Sequence, residues 1–102
     1  MIRIPKNRPA THPGEILLED FLRLGLAQTQ LAEGIRVPFQ RVNEIISGKR
    51  GLTPSTALRL ARYFGNSPGF WLNLQMRCDL QKAESNEFKI LSEIKSAPKL
   101  AA

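Results

Sequence analysis

At 102 residues, with fifteen Lys and Arg against nine Asp and Glu for a formal charge of +6, the chain has material for one compact domain plus tails and none for a second core. The basic excess points to a polyanionic partner or a basic surface and is silent on fold. A single cysteine, Cys78, excludes an internal disulfide and a multi-cysteine zinc site, no apolar run reaches the roughly 20 residues a membrane span needs, and the N-terminal "MIRIPKNRPATHPG" has no apolar signal core, so the expected location is the cytoplasm.

The elements follow the prolines. Residues 1–11 form a basic, proline-bearing arm with Arg3, Lys6 and Arg8, expected to be disordered rather than to follow a groove. A first helix is predicted from Pro13 to Leu24, with Ile16, Leu17, Phe21 and Leu24 on its apolar face, a weak cap at His12, and Gly25 as its end. Glu15, Glu19 and Asp20 lie within about a turn of one another and answer the helix dipole rather than bind a metal. The second helix, Gln28 to Ile35, buries Leu31, Ala32 and Ile35. The third, Pro38 to Ser47, is stopped by Gly48. The fourth, Pro54 to Phe64 behind Thr53, buries Ala57, Leu58, Leu60, Ala61 and Phe64 and closes at Gly65. The fifth opens at Ser67 and Pro68, turns Phe70, Trp71, Leu74 and Cys78 inward, and runs to about Ala83; Phe88, Leu91 and Ile94 permit a sixth within 87–96. No period-2 alternation and no hairpin signal occurs, so the fold class is all-α. The division follows as an arm over 1–11, a domain over 12–83 and a tail over 84–102.

Function concentrates in "VPFQRVNEIISGKR", positions 37–50. At roughly 100° per residue Val42, Ile45 and Ile46 share one arc, while Gln40, Glu44 and Ser47 point away and Arg41 and Asn43 flank them. A short helix with a β-branched inner side and Gln, Arg, Asn and Glu outside suits base edges: Gln pairs in two places with adenine, Arg with guanine, and Glu accepts from the cytosine amino group. The basic excess gathers here too, in Arg36, Arg41, Lys49 and Arg50 against Glu44. With a short helix and a tight turn before it and Gly-Lys-Arg-Gly after it, the arrangement is that of a helix-turn-helix whose loop offers charged side chains and backbone N–H groups to phosphates.

The stretch from Leu26 to Lys49 resembles the lambda-repressor-like, Xre/Cro type helix-turn-helix, and "HPGEILLEDFL", "VPFQRVNEIISGKRGLT" and "TALRLARYFGNSPGFWLNLQ" together resemble the HigA antitoxin family, which includes virulence-associated protein I proteins. The likeness covers positions 12 to 80. It implies a five-helix domain in a homodimeric repressor that binds its own double-stranded operator and neutralises HigB, an mRNA-cleaving toxin of RelE-like fold. Carried over by position, Gln40, Arg41, Asn43 and Glu44 read bases, while Gln28, Ser47, Lys49, Arg50 and Thr53 face phosphates. Ala27 stands where such motifs place a capping Ser or Thr, which removes a cap of about 1 kcal/mol. Arg36 stands where they place glycine, with Gly34 two residues earlier, at a cost of roughly 1 to 2 kcal/mol if Arg36 is left-handed. Phe39 either touches a thymine methyl or packs beside Pro38.

Arg59 and Arg62 read as solvated helix surface, Trp71 as core. His12 has no Ser, Cys or Asp constellation around it, and no catalytic, metal or cofactor residue is assigned. The reading is a DNA-binding antitoxin and autorepressor, not an enzyme. Its rivals are a solitary Xre-type regulator and a chiefly toxin-binding module whose DNA contact is incidental, the latter motivated by Ala27 and Arg36.

Overall fold

The computed structural model describes residues 10–98; the arm expected over 1–11 lies outside them except for Ala10 and Thr11, as does the end of the tail. Among the described residues every regular element is helical. Helix α1 (13–24) starts as an α-helix over Pro13–Ile16, widens to a π turn over Leu17–Phe21 and closes as a 3-10 turn over Leu22–Leu24. It is followed by α2 (Gln28–Ile35), α3 (Phe39–Ile46), α4 (Pro54–Phe64), α5 (Pro68–Asn86) and α6 (Phe88–Glu93).

Local chemistry sets these ends. Pro13, Pro54 and Pro68 occupy the first turn of their helices, behind caps in which His12 Nδ1, Thr53 Oγ1 and Ser67 Oγ accept backbone N–H groups. Pro38 departs from that pattern: it is the extended residue before α3 (φ −60°, ψ 145°), one place outside the helix. Gly25, Gly48 and Gly65 leave their helices with φ of 112°, 80° and 75°. Helix α5 runs three residues past the expected Ala83, and α6 is shorter than the 87–96 segment that permitted it.

The core joins Leu17 of α1, Leu31, Ala32 and Ile35 of α2, Val42 and Ile45 of α3, Leu52, Ala57, Leu60 and Ala61 around α4, and Trp71 of α5. Trp71 is fully buried, as its place in the apolar run implied, and its indole N–H donates to Asn66 Oδ1 at 2.8 Å. Phe21 stacks on Phe64 with centroids 4.0 Å apart, and both tilt against Trp71 at 5.9 Å. Three expected core residues lie outside: Leu24 is 83% exposed, Leu58 59% and Phe70 42%. Leu24 sits in the last 3-10 turn, where the change of pitch rotates it off the apolar face, and Phe70 lies edge-on to Trp71 at the rim, 5.0 Å away. Phe88, Leu91 and Ile94 are exposed as well.

Two contacts fix α3 and the start of the chain. Gly14 is buried against α3, and a Cβ there would collide with the carbonyl oxygen of Ile45 and lie 2.9 Å from Ile46 Cα. Near the arm, Ala10 N–H donates to Gln81 Oε1 at 2.8 Å and its carbonyl accepts the Cys78 thiol at 3.5 Å; burial and the neighbouring Asp79 push that thiol's pKa up and keep it a donor.

Gly14→Ala is expected to destabilise the fold by about 1 to 3 kcal/mol in urea or thermal melts, because the obstructing atoms are backbone and no side chain can swing aside. His12 gives a pH signature. Desolvation first, then Lys82, lowers its pKa below the ordinary 6.5, against partial opposition from Glu15 and Asp79. The unfolded chain therefore binds the proton better, so the contribution of neutral His12 is complete above about 6.5 and is lost as pH falls through the lowered folded value. Protonation also removes the Nδ1 acceptor of the α1 cap. Thermal melts of the parent and of His12→Ser, which retains a capping oxygen, should diverge on acidification across that window, the parent losing stability faster.

Candidate nucleic-acid interface

Helices α2 and α3 form the two arms of the motif, and their mutual angle rests on the residue between them. Arg36 adopts φ 58°, ψ 51°, the one non-glycine with positive φ among the described residues. The strained turn is not left to itself: Val37 N–H closes on Ala32 O at 3.0 Å, and Arg59 of α4 donates Nη1 to Ile35 O at 2.7 Å and Arg36 O at 3.2 Å. Arg59 is exposed, as is Arg62, and in addition serves as the C-terminal cap of α2. At Gly34 a Cβ would run into the Tyr63 ring, so the glycine that the turn lacks is required two residues earlier for packing against α4. At the other end of α2, Ala27 has no capping oxygen, but Gln30 Oε1 accepts the Ala27 N–H at 2.9 Å, which preserves the reverse half of a capping box.

With α3 so held, Val42 and Ile45 are fully buried and Ile46 is half-buried against the same core. Gln40 and Asn43 are exposed, Arg41 and Glu44 half-buried. The side chains of Gln40 and Arg41 have no hydrogen-bond partner among the described residues and lie with Pro38, Glu44 and Arg50 around a shallow depression of about 170 Å³. Asn43 Nδ2 donates to Gln28 Oε1 at 3.2 Å and ties α3 to the first turn of α2. Glu44 Oε1 accepts Arg50 Nε at 3.0 Å. Phe39 is 48% exposed in the first turn of α3.

The loop after α3 is folded back on itself. Glu44 O accepts Lys49 N–H at 2.8 Å and Arg50 N–H at 3.2 Å, and Ile45 O accepts Gly48 N–H at 3.1 Å. Leu52 N–H donates to Gln75 Oε1 at 2.7 Å. These four amides are spent on the protein, so the expectation that the loop presents its backbone N–H groups to phosphates is corrected for them; what it presents is side chains. Lys49 is exposed with its ammonium unpaired among the described residues. Ser47 Oγ donates to Glu44 O at 3.2 Å, and Thr53 Oγ1 is engaged in capping α4. Gln28 is joined to Asn43 of α3; Ser47, Lys49 and Arg50 follow directly on the end of that helix, Lys49 with its charge free and Arg50 paired; and Thr53 stands at the start of α4.

Two residues that shape this surface escaped the sequence reading. Arg59 reaches back across 24 positions, and Gln75 of α5 pins the loop while its amide occupies the space a Cβ on Gly51 would fill. Gln75 is held in turn by donating Nε2 to Asp79 Oδ1 at 2.9 Å. The one local sign of the second contact was the glycine that follows Lys49 and Arg50.

Comparison with known proteins places this geometry. The helix-turn-helix family matches residues 17–71. Virulence-associated protein I of Dichelobacter nodosus is 48% identical over 83 residues, 80% of this chain and 77% of that protein. An addiction module antidote protein of the HigA family from Coxiella burnetii superposes with a TM-score of 0.82 at 39% identity, over 89% of this chain and 100% of that one. The Pseudomonas aeruginosa antitoxin HigA, solved with the higBA promoter, superposes with a TM-score of 0.80 at 36% identity, over 87% and 97% of the two chains. Matched across the buried frame and the turn alike, the chain belongs to the helix-turn-helix family, in the group that contains virulence-associated protein I and the HigA antitoxins.

Proposed function

We propose that the chain is a sequence-specific DNA-binding antitoxin that represses its own operon. The observation that carries this is the outer face of α3, where the Gln40 and Arg41 side chains stand with unused donors and acceptors beside Glu44 and Arg50 while Val42 and Ile45 anchor the opposite side. Eight residues of helix span about 12 Å, a length that enters a major groove. Gln40, Arg41 and Asn43 read base edges. Lys49 and the start of α2 at Gln28 lie against the backbone, and Ser47 and Thr53 reach phosphate only by giving up the hydroxyl contacts they make to Glu44 O and within the α4 cap. The HigA relative solved with a promoter supports the same mode of use.

The protein works as a homodimer in the cytoplasm, because one module buries too little surface for tight operator binding and two read half-sites about one helical turn apart. Residues 12–83 make the DNA-binding domain, with the arm and the tail as appendages. The protein partner is a small RelE-like mRNA-cleaving toxin of the HigB kind. The rival in which DNA contact is incidental loses part of its motive, since the Arg36 turn is braced by Arg59 and the reverse half of the capping box at Ala27 is kept by Gln30. No chemistry of an enzyme is assigned.

Gln40→Ala combined with Arg41→Ala should lower affinity for an operator duplex by about thirtyfold to ten-thousandfold, about 1 to 3 kcal/mol for each of the two lost base contacts, with the thermal melt unchanged. For the parent, log affinity should fall with log salt at a slope near −0.9 per phosphate neutralised, read by anisotropy titrations across salt. Undiminished operator binding by the double variant overturns the face assignment. Light scattering at twice 11.5 kDa, and co-purification with the product of an adjacent small basic reading frame, check the two protein partners.

A further inference from the structure

The geometry points to Arg50 as a base-reading residue, not a phosphate clamp, with Glu44 as the positioning residue that aims it. This rests on the reading face proposed above and adds a residue that α3 itself does not contain.

Arg50 lies beyond the end of α3, six residues from Glu44, yet it lines the same depression as Gln40 and Arg41. Its backbone N–H is tied to Glu44 O at 3.2 Å, so the loop delivers the residue to the flank of the helix before the side chain begins. The guanidinium then meets Glu44 side-on: Nε donates to Oε1 at 3.0 Å. Side-on contact differs in consequence from the usual fork-to-fork pair. It consumes the inner N–H and leaves the terminal nitrogens, which form no hydrogen bond among the described residues, directed onward as a planar pair of donors. That pair matches guanine O6 and N7 in the major groove, and fixing the side chain beforehand removes ordering cost that a free arginine would meet on binding.

Charge balance favours the same role. A phosphate clamp gains from an unopposed cation, and Lys49, next to Arg50 in the chain and unpaired, has one. Arg50 is matched by the only carboxylate of α3, which cancels its long-range pull on the DNA backbone and leaves directional hydrogen bonding as what it offers. The arrangement also accounts for an acidic side chain on a surface that faces a polyanion: Glu44 is engaged by Arg50 and shielded by it, its side chain being 29% exposed against 49% for its partner.

The two roles leave different signatures. An operator duplex is selected from random-sequence DNA with the full-length chain, and affinities are measured for it, for each single-base-pair change and for unrelated DNA, across salt. If Arg50 reads a base, Arg50→Ala weakens the operator about tenfold to a hundredfold, relaxes discrimination at one base pair, and leaves unrelated DNA and the salt slope nearly unaltered. Glu44→Ala relaxes the same base pair, the double variant is no worse than Arg50→Ala, and Arg50→Lys, with its charge but no fork, does not restore discrimination. Glu44→Gln, which retains an acceptor for Nε, retains most of it. The assignment is overturned if Arg50→Ala weakens all sequences alike and lowers the salt slope by about 0.9, if Arg50→Lys restores binding, or if Glu44→Ala relaxes a different base pair from Arg50→Ala. Melting curves confirm folding of each variant. Loss of operator binding by the Gln40 and Arg41 double variant together with any of those results sinks the Arg50 assignment alone; an unimpaired double variant sinks the whole face.

Discussion

The seating of the start of α1 on the backbone of α3 is the constraint from which the reading surface follows. Because position 14 lacks a Cβ, the first turn of α1 lies directly on the carbonyl of Ile45, one residue from the end of the reading helix. Backbone against backbone is the stiffest contact available in a small domain, since no rotamer can relax it. Val42 and Ile45 sink the opposite side of the same helix into the core, where it packs against α2. Between these two supports α3 has no freedom to roll, and the residues that a helix wheel places outside remain outside. The cap that starts α1, His12 on Gly14 N–H, is part of the same support, so a titrating imidazole stands one step behind α3.

Departures from the family pattern have been absorbed by neighbours rather than tolerated. Arg36 holds a backbone conformation that costs an L-residue about 1 to 2 kcal/mol, and Arg59 returns part of it through two charge-assisted hydrogen bonds to the carbonyls at that turn. Gly34 lets Tyr63 close over α2, which brings α4, and Arg59 with it, near enough to make those bonds. The three features form one device. A glycine in the turn would dispense with Arg59, and a side chain at position 34 would displace the Tyr63 ring. This is also why the missing cap at Ala27 is the lesser loss: Gln30 lies within its own helix and satisfies the orphan N–H without any long-range partner.

What could be read from the chain beforehand divides along the same line between local and distant. Helix starts at Pro13, Pro54 and Pro68 and ends at Gly25 and Gly65 depend on the conformational limits of one residue and its immediate neighbours, and they fall where those limits place them. The inward set of α3 was legible because eight residues with three β-branched side chains admit few arcs. Leu58 and Phe70 were misplaced because periodicity gives the centre of a buried arc and not its width, and a core assembled around Trp71 and short helices covers only a narrow arc of α4 and α5. Leu24 was misplaced because the wheel assumes one pitch, while α1 passes through π and 3-10 turns. Arg59 and Gln75 were invisible for another reason: each acts on backbone atoms more than twenty positions away, and no local pattern marks a side chain that caps another element's carbonyl or amide.

On the roles proposed for Lys49 and Arg50, that distant frame separates affinity from specificity in the loop after α3. With the amides of Gly48, Lys49 and Arg50 bound to the end of α3 and that of Leu52 bound to Gln75, the loop has one backbone shape, and its two adjacent cations are sent to unlike surroundings. Lys49 keeps an unscreened charge on a flexible stem, suited to a phosphate whose position varies little with sequence. Arg50 is neutralised by Glu44 and held flat, suited to a target defined by direction. Had both been free, their pull on DNA would have been stronger and less discriminating, since attraction to the backbone is shared by every sequence. Pairing one of them with the single acid of α3 lowers the attraction common to all DNA and preserves the contacts that tell one site from another, and a repressor searching a genome depends on that ratio more than on affinity alone.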